Sequence, residues 1–342
     1  MRLKKKMIRT ITLISDFIYH WGHKQRALRI LKTLEEQLSW KLTRSLKKDI
    51  TQYSIKKFGS RKYRYWLWVY TAYNMEFKEG WIPDNYFGKI FLKNVNNSYT
   101  GLSVMRTLQK QILYSSRFPD AYYILRGLLY NSSMKETSWE SFFQEVEMGK
   151  VFYIKSNLSS QGNGIKKIHK ENLKQFEFSG FIDSVIQNEV IQHDWFEKIM
   201  PNSLVTIRIT TTKDKNGRIS FGAATLRLGR FQDQFIKSDS SIRVAIIDMD
   251  GTLDKHGIDS NWFFLNKHPD TNFEFYNQKV PFFSKAVEVC LESHRKIPHI
   301  SVIGFDVAID RFGEVFILEF NSGHTDIKFH EASTGPFLMN II

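Results

Sequence analysis

The sequence predicts an α+β protein preceded by a mainly helical, basic N-terminal region. Three observations carry this. Apolar residues recur at helical spacing, with Lys and Arg between them, over the first 42 residues. From about residue 151 the chain turns to short segments that alternate apolar and polar or are rich in β-branched residues. Gly- and Asn-bearing turns separate those segments at hairpin-like intervals, which favours antiparallel strands segregated from helices.

In order, Ile8, Ile11, Ile14 and Ile18 mark a first amphipathic helix, and Leu28, Leu31, Leu34, Leu38 and Leu42 a second. An aromatic-rich helix is expected from Tyr63 to Phe77. EGWIPDNY (79–86) breaks the pattern, NVNNSYTG (94–101) is a loop, and Leu102 to Ser115 reads as a helix. Residues 1–130 therefore read as mainly helical. SWESFFQEVEM (138–148) is a short helix with Ser138 as its N-cap. VFYIK (151–155), SLVTIRITTT (203–212), ISFGAATLRLG (219–229) and IRVAIIDMDG (242–251) read as strands, with KDKNGR (213–218) turning between the second and third. FIDSVIQNEVIQ (181–192) is an apolar hinge. KAVEVCLESHRKI (285–297) is a helix with Cys290 on its apolar face, and VIGFDVAIDRFGEVFILEFN (302–321) closes as a hairpin.

Composition narrows the class. The chain has 342 residues, 42% hydrophobic and 25% charged, which is ordinary for a globular protein. One cysteine excludes an internal disulfide framework and fits a reducing compartment. No apolar run reaches membrane-spanning length. The start has the basic n-region of a signal peptide, but Arg9, Thr10, Thr12 and Asp16 interrupt its apolar stretch, so it reads as mature sequence. Residues 1–65 hold 18 Lys and Arg against four acids (Asp16, Glu35, Glu36 and Asp49), which accounts for the whole net charge of +14. Such a segment suits an anionic membrane, nucleic acid or a phosphorylated substrate, or is a solvated helical face. No RNP-like or helix-turn-helix signature supports nucleic-acid binding.

The last hairpin holds the most chemistry. With Arg311-Phe312 as a two-residue loop, Asp310 pairs with Gly313 and Asp306 with Ile317. Side chains alternate along strands, so Asp306, Glu319 and Asn321 share one face at one end of the hairpin. Two carboxylates and an amide oxygen are the hard ligands that magnesium takes. The bland alternative is a solvated polar face. Upstream, the VFYIK strand ends in Lys155 and runs into SNLSSQGNGI (156–165), whose glycines let backbone N–H groups approach phosphate. This loop is neither a Walker A nor a Rossmann fingerprint.

The order of strand, Lys155, Gly-bearing loop, apolar hinge, TIRIT strand and GFDVAID…GEVFILEFNSG resembles the ATP-grasp superfamily. More narrowly it resembles the sugar-transfer-associated ATP-grasp proteins of polysaccharide biosynthesis, through VIQNEVIQHDWFEKIMPNSLVTIRITT, HPDT, VPFFSKA and EFNSG. The resemblance implies an ATP-grasp fold, two α+β subdomains gripping ATP. After the basic helical region at 1–75, the resemblance, which covers roughly residues 75–335, implies an α/β substrate-side region at 76–136, the small lid subdomain at 137–186 and the large catalytic subdomain at 187–342. Lys155 would contact nucleotide phosphates, under a lid loop of Ser159, Ser160, Gln161, Gly162 and Gly164. Gln187, Asn188, Glu189 and Val190 would line adenine. Arg208 would face the phosphates or an anionic substrate group, and Asp306, Glu319 and Asn321 would hold Mg2+. An earlier basic residue is also expected at the nucleotide: Lys110 or its rival Arg106.

The implied activity is ADP-forming, ATP-dependent ligation of a carboxylate to an amine or hydroxyl through an acyl phosphate. The expected partners are a small carboxylate and a sugar or glycan-precursor acceptor. The expected location is cytoplasmic, with residues 1–65 in peripheral contact with the anionic inner face of the membrane. A kinase on the same scaffold is the alternative. A second rival is VAIIDMDGTL (244–253), which matches the haloacid-dehalogenase phosphatase motif through Asp248 and Asp250. The residues after it lack the helical period that fold needs, so a hairpin turn is the simpler reading. His193, His268, His294 and His330 lack metal-ligand spacing, and no serine-hydrolase elbow is present.

Overall fold

The computed structural model describes residues 2–96, 105–113, 121–145, 151–157, 164–233, 236, 240–323, 325–338 and 341. The two amphipathic patterns at the N-terminus are one continuous helix, Arg2–Gln37: no Pro interrupts it, and Gly22 between the patterns weakens helix propensity without ending the helix. Leu42 lies past its end, before a second helix, Arg44–Phe58. That helix is opened by the Thr43 hydroxyl accepting from the Leu46 N–H and closed by Gly59 at φ 74°. The aromatic helix is Arg64–Asn74. Its Trp66, Leu67 and Tyr70 are buried with Ala27, Leu31 and Leu34 of the first helix and with Trp262 and Phe329 further on. The N-terminal helices thus share a core with the C-terminal half. No helix among the described residues is long and apolar enough to cross a membrane.

The strands form two antiparallel sheets. The smaller contains β1 (Ala121–Leu125), β2 (Leu128–Tyr130), β3 (Glu136–Thr137), β4 (Val151–Ser156), β5 (Ile165–His169) and β6 (Asp183–Asn188). Their spatial order is β3-β2-β1-β6-β4-β5. Residues 121–130, expected within a mainly helical stretch, are instead the β1–β2 hairpin. Arg126 and Gly127 turn it with φ of 50° and 84°, the paired left-handed conformation of a two-residue hairpin loop. The helix Trp139–Glu145 packs Phe142 against this sheet, and the Ser138 hydroxyl caps it by accepting from the Ser141 N–H at 3.0 Å.

The larger sheet contains β7 (Thr206–Lys213), β8 (Ile219–Leu228), β9 (Ile242–Ile246), β10 (Leu253–Ile258), β11 (Phe264–Leu265), β12 (Val302–Ile309) and β13 (Val315–Asn321). Its order is β11-β10-β9-β8-β7-β12-β13. The helix Phe283–Arg295 seals one face with Ala286, Val287 and Cys290, all buried in the main core. The helix Ile327–Thr334 lies toward the other face. The DMDG segment is the turn of the β9–β10 hairpin, as the sequence suggested: the Asp248 carboxylate accepts from the Thr252 N–H at 2.9 Å, and Asp250 pairs with exposed Lys279. A strand, not a phosphatase helix, follows it.

The terminal hairpin departs from the expected register. Its loop is three residues, not two: the Gly313 N–H donates to Asp310 O and the Asp310 N–H to Glu314 O. Gly313 takes φ 78°, and the Asp310 carboxylate accepts from the Phe312 and Glu314 amides. Val307 therefore pairs with Ile317, a shift that alone would turn Glu319 to the opposite face. A β-bulge between Asp306 and Val307 restores it, and Asp306 stands opposite Glu319, not Ile317.

Candidate active site

Strand β12 lies between β7 and β13, so Asp306 has Arg208 on one side and Glu319 on the other. Arg208 holds Asp306 bidentately, Nε to Oδ1 at 2.6 Å and Nη2 to Oδ2 at 2.9 Å. Arg227 on β8 reaches the same Oδ1 at 3.4 Å, and Asn321 Nδ2 lies 3.5 Å from Oδ2. Burial would by itself raise the Asp306 carboxyl. Arg208 and Arg227 outweigh it and hold the group well below the usual carboxylate range. Each carboxylate oxygen has two lone pairs, so this pairing leaves acceptor capacity for a cation. Among the described residues no cluster of three or more His, Cys, Asp or Glu could hold a metal. The set is two carboxylates plus an amide oxygen, a combination suited to magnesium that keeps waters and phosphate oxygens.

The helix Arg106–Ile112 brings cations to Glu319 and ties the two sheets together. Arg106 donates through Nη1 to Ser156 O on β4 at 2.6 Å and pairs through Nη2 with Glu319 on β13 at 3.3 Å. The Asn157 carboxamide and Thr107 bond each other twice beside it. Gln109 accepts from the Phe320 N–H and donates to Phe320 O, pairing the edge of β13 where a further strand would otherwise sit. Lys110, buried, donates to Ile317 O at 3.4 Å and Leu318 O at 3.2 Å, the carbonyls turned out by the bulge. Burial pushes its ammonium well below the ordinary lysine value, and neighbouring Lys155 adds to the shift. Lys155, near the end of β4, is lowered to about 8 by burial, with Glu319 and Asp306 opposing. Both rivals for the earlier basic residue, Lys110 and Arg106, therefore stand at the site.

Gln187 on β6 sits between Ala121 on β1 and Tyr153 on β4. Its side chain is buried, and neither amide atom has a hydrogen-bond partner among the described residues. Such an amide has the capacity both to donate and to accept. Asn188 ends the strand opposite Phe152, and the Glu189 N–H donates to Val151 O. The Glu189 carboxylate accepts from the Tyr153 hydroxyl and pairs with Lys167 at 3.0 Å, and Val190 follows half-buried. Gly164 takes φ 72° and its carbonyl accepts from the Ser156 N–H. Ser159, Ser160, Gln161 and Gly162 lie outside the described residues.

His268, His294 and His330 are buried and held by hydrogen bonds. His294 bonds Thr211 and Ile300 O, and burial lowers it to about 4. His268 faces Gly229 O, and His330 faces Thr210. Sequence reasoning missed Gln109, Thr225, Arg227 and Arg243. The last two carried a signal: an arginine inside an apolar strand, as in ATLRL and IRVAI, demands a buried partner.

A family model described as sugar-transfer associated ATP-grasp matches residues 140–341. No curated protein matches the chain. Among solved structures it is similar to the N5-carboxyaminoimidazole ribonucleotide synthetase from Thermotoga maritima, at 12% identity and a TM-score of 0.41 over 75% of this chain and 55% of that one. It is similar to the D-alanine-D-alanine ligase from Coxiella burnetii, at 9% identity and a TM-score of 0.43 over 72% and 58%. It is also similar to the N5-carboxyaminoimidazole synthetase from Staphylococcus aureus complexed with ADP, at 15% identity and a TM-score of 0.41 over 71% and 53%. The chain spans little more than half the length of these solved proteins.

Proposed function

Because the chain belongs to the sugar-transfer-associated ATP-grasp family, we propose that it is an ATP- and magnesium-dependent, ADP-forming ligase that joins a small acid to an amine or hydroxyl. The observation that carries this reading is the bridge made by Arg106 from Ser156 on the small sheet to Glu319 on the large one. Together with the β7–β12 pairing that places Arg208, it gathers Lys110, Lys155 and Arg208 around the Asp306–Glu319 pair. Those cations suit the charge of a triphosphate, and the unsatisfied Gln187 amide suits an adenine edge.

Asp306, Glu319 and Asn321 would hold magnesium, which when bound neutralises phosphate charge during transfer. Lys155 and Lys110 orient the phosphates, and Arg208 stabilises charge at the transferred group. The substrate carboxylate oxygen attacks the terminal phosphorus of ATP, and the bond to the bridging oxygen breaks, releasing ADP and an acyl phosphate. An amine or hydroxyl of the acceptor then attacks the acyl carbon, phosphate leaves, and the acceptor loses a proton. The family description suggests a sugar or polysaccharide precursor as acceptor.

We propose in addition that the N-terminal helix makes a peripheral membrane contact. Ile8, Ile11, Leu13, Phe17 and Trp21 are 54–69% exposed on it. The same helix contains Arg2, Lys4, Lys5, Lys6 and Arg9. Exposed apolar residues in a helix whose sequence is rich in Lys and Arg would suit an anionic lipid surface. Sedimentation with anionic vesicles tests it: binding that weakens with salt is expected, and no co-sedimentation at any salt concentration removes the idea.

The activity test is incubation with ATP, magnesium, hydroxylamine and a panel of acids. A trapped hydroxamate supports the ligase, and a stable phosphorylated product supports the kinase alternative. Unchanged magnesium-dependent ADP binding in Glu319→Gln would count against the site assignment.

A further inference from the structure

At the outer edge of the larger sheet, β10 and the segment that follows β11 enclose a cavity of about 330 Å³, lined by Lys255, His256, Asn266, Lys267, Glu274 and Tyr276. Its origin is a break in the strand ladder. Leu253 pairs with Ile246 and Gly257 with Val244, so β10 has residues 254–256 where β9 has only Ala245. Surplus residues in one strand leave the ladder and bend it. On the outer side, Thr252 bridges Lys279 and Gly257 pairs with Leu265, with 254–256 between them.

The opposite wall is a short doubled-back segment. The Phe275 N–H donates to Asn266 O, Lys267 stands across from Glu274, and the His268 N–H donates to Phe273 O. Phe275 is fully buried in the main core, so by strand alternation its neighbours Glu274 and Tyr276 face outward, and Tyr276 is 64% exposed. His256 Nδ1 bonds Asn266 Oδ1 at 2.6 Å, which ties the two walls together.

The lining is mixed in a particular way. Lys255 and Lys267 offer donors, the Glu274 carboxylate offers acceptors, and Tyr276 offers a ring face as well as a hydroxyl. The volume falls in the range of roughly 300–1,000 Å³ found for small-molecule sites, but the predominantly apolar lining of such sites is missing. Two ammonium groups beside one carboxylate leave too little positive charge for a triphosphate. A pyranose matches better. One face of its ring presents C–H groups that lie well on an aromatic ring, and its rim of hydroxyls both donates and accepts.

We propose that this cavity binds a sugar unit, its ring stacked on Tyr276 and its hydroxyls bonded to Glu274, Asn266 and the two lysines. Four strand spacings separate β10 from β12, which at about 4.8 Å each puts the cavity roughly 19 Å from Asp306. On the ligase reading, the unit held here is a distal one of a longer acceptor glycan. Only that clause rests on the reading, since sugar binding itself needs neither nucleotide nor metal.

The test is ligand-observed saturation-transfer NMR on the full-length chain without ATP or magnesium. The probes are glucose, galactose, N-acetylglucosamine, glucuronic acid, cellobiose and chitobiose. Saturable binding of at least one is expected. Tyr276→Ala should weaken it about tenfold, and Tyr276→Phe, which keeps the ring, less than about threefold. Glu274→Ala should also weaken it, while magnesium-dependent ADP affinity of the same proteins stays within about twofold of wild type. No saturable binding of any probe would overturn the site, as would equal binding by wild type and Tyr276→Ala. Displacement of the sugar by ADP would place it at the nucleotide centre and overturn the assignment as well. A wild type that binds sugar but forms no hydroxamate sinks the ligase reading alone.

Discussion

Replacing Asp306 with alanine removes the acceptor of two buried hydrogen bonds, at 2.6 and 2.9 Å, from an arginine that is 7% exposed. What remains is a buried guanidinium whose neighbours include Arg227 and which still donates to Thr325 O at 3.3 Å. Breaking a buried pair from one side costs about 3–5 kcal/mol, because the orphaned charge keeps its desolvation penalty. That is a large share of the roughly 5–15 kcal/mol that stabilises a domain. Asp306→Asn retains one acceptor oxygen and a similar shape, so its loss should be nearer 1–2 kcal/mol. Urea denaturation followed by circular dichroism measures both, and the double variant Asp306→Ala with Arg208→Met separates the causes. Removing the orphaned cation should recover part of the loss. Single-variant costs that simply add, or an alanine variant that loses under about 1 kcal/mol, would refute the reasoning. The sign with pH follows from the lowered carboxyl. The contribution is present above the ordinary carboxylate value of 3.8 and is lost as pH falls through the lower folded value.

Three other outcomes are expected. Lys155 titrates at about 8 in the nucleotide-free chain, so ADP affinity should fall as pH rises above 8, by at most about tenfold per unit, and Lys155→Arg should flatten the profile; an unchanged affinity to pH 10 would exclude a phosphate-contacting charge there. The same shift makes the buried ammonium a cost to the free protein at low pH, a cost that disappears between 8 and the ordinary 10.5. Gly313→Ala places a Cβ 2.5 Å from the Phe282 ring at a φ of 78°, which should cost about 1–3 kcal/mol by denaturant titration; a neutral result would mean the three-residue loop is wrong. Gln109→Ala leaves both backbone groups of Phe320 without that partner, at about 1–3 kcal/mol, and should speed exchange of the Phe320 amide; protection equal to wild type would show that β13 does not need the helix at its edge.

Much of the site was legible because period-two alternation and ligand chemistry are local properties. The strand positions of Lys155, Arg208, Asp306 and Glu319 follow from their apolar neighbours alone. The shared face of Asp306 and Glu319 was anticipated through the wrong register. The loop is one residue longer than expected, and a bulge the sequence does not signal cancels the error. The β1–β2 hairpin was overlooked although Arg-Gly between two apolar runs is a turn signal.

The sequence by itself determined the α+β character, the family, the antiparallel strands that bear the acids and the concentration of positive charge before residue 65. Each depends on residues close together in the chain, or on an order of motifs that can be read in one dimension. Only the tertiary structure decided which cations meet which acids. Arg208 and Asp306 are 98 residues apart, and Lys110 meets the bulge carbonyls across more than 200. It also set Arg227 against Arg243 across neighbouring strands. The physical reason is that electrostatic pairing and hydrogen-bond satisfaction are settled by distances of a few ångströms between strands. No spacing along the chain encodes them.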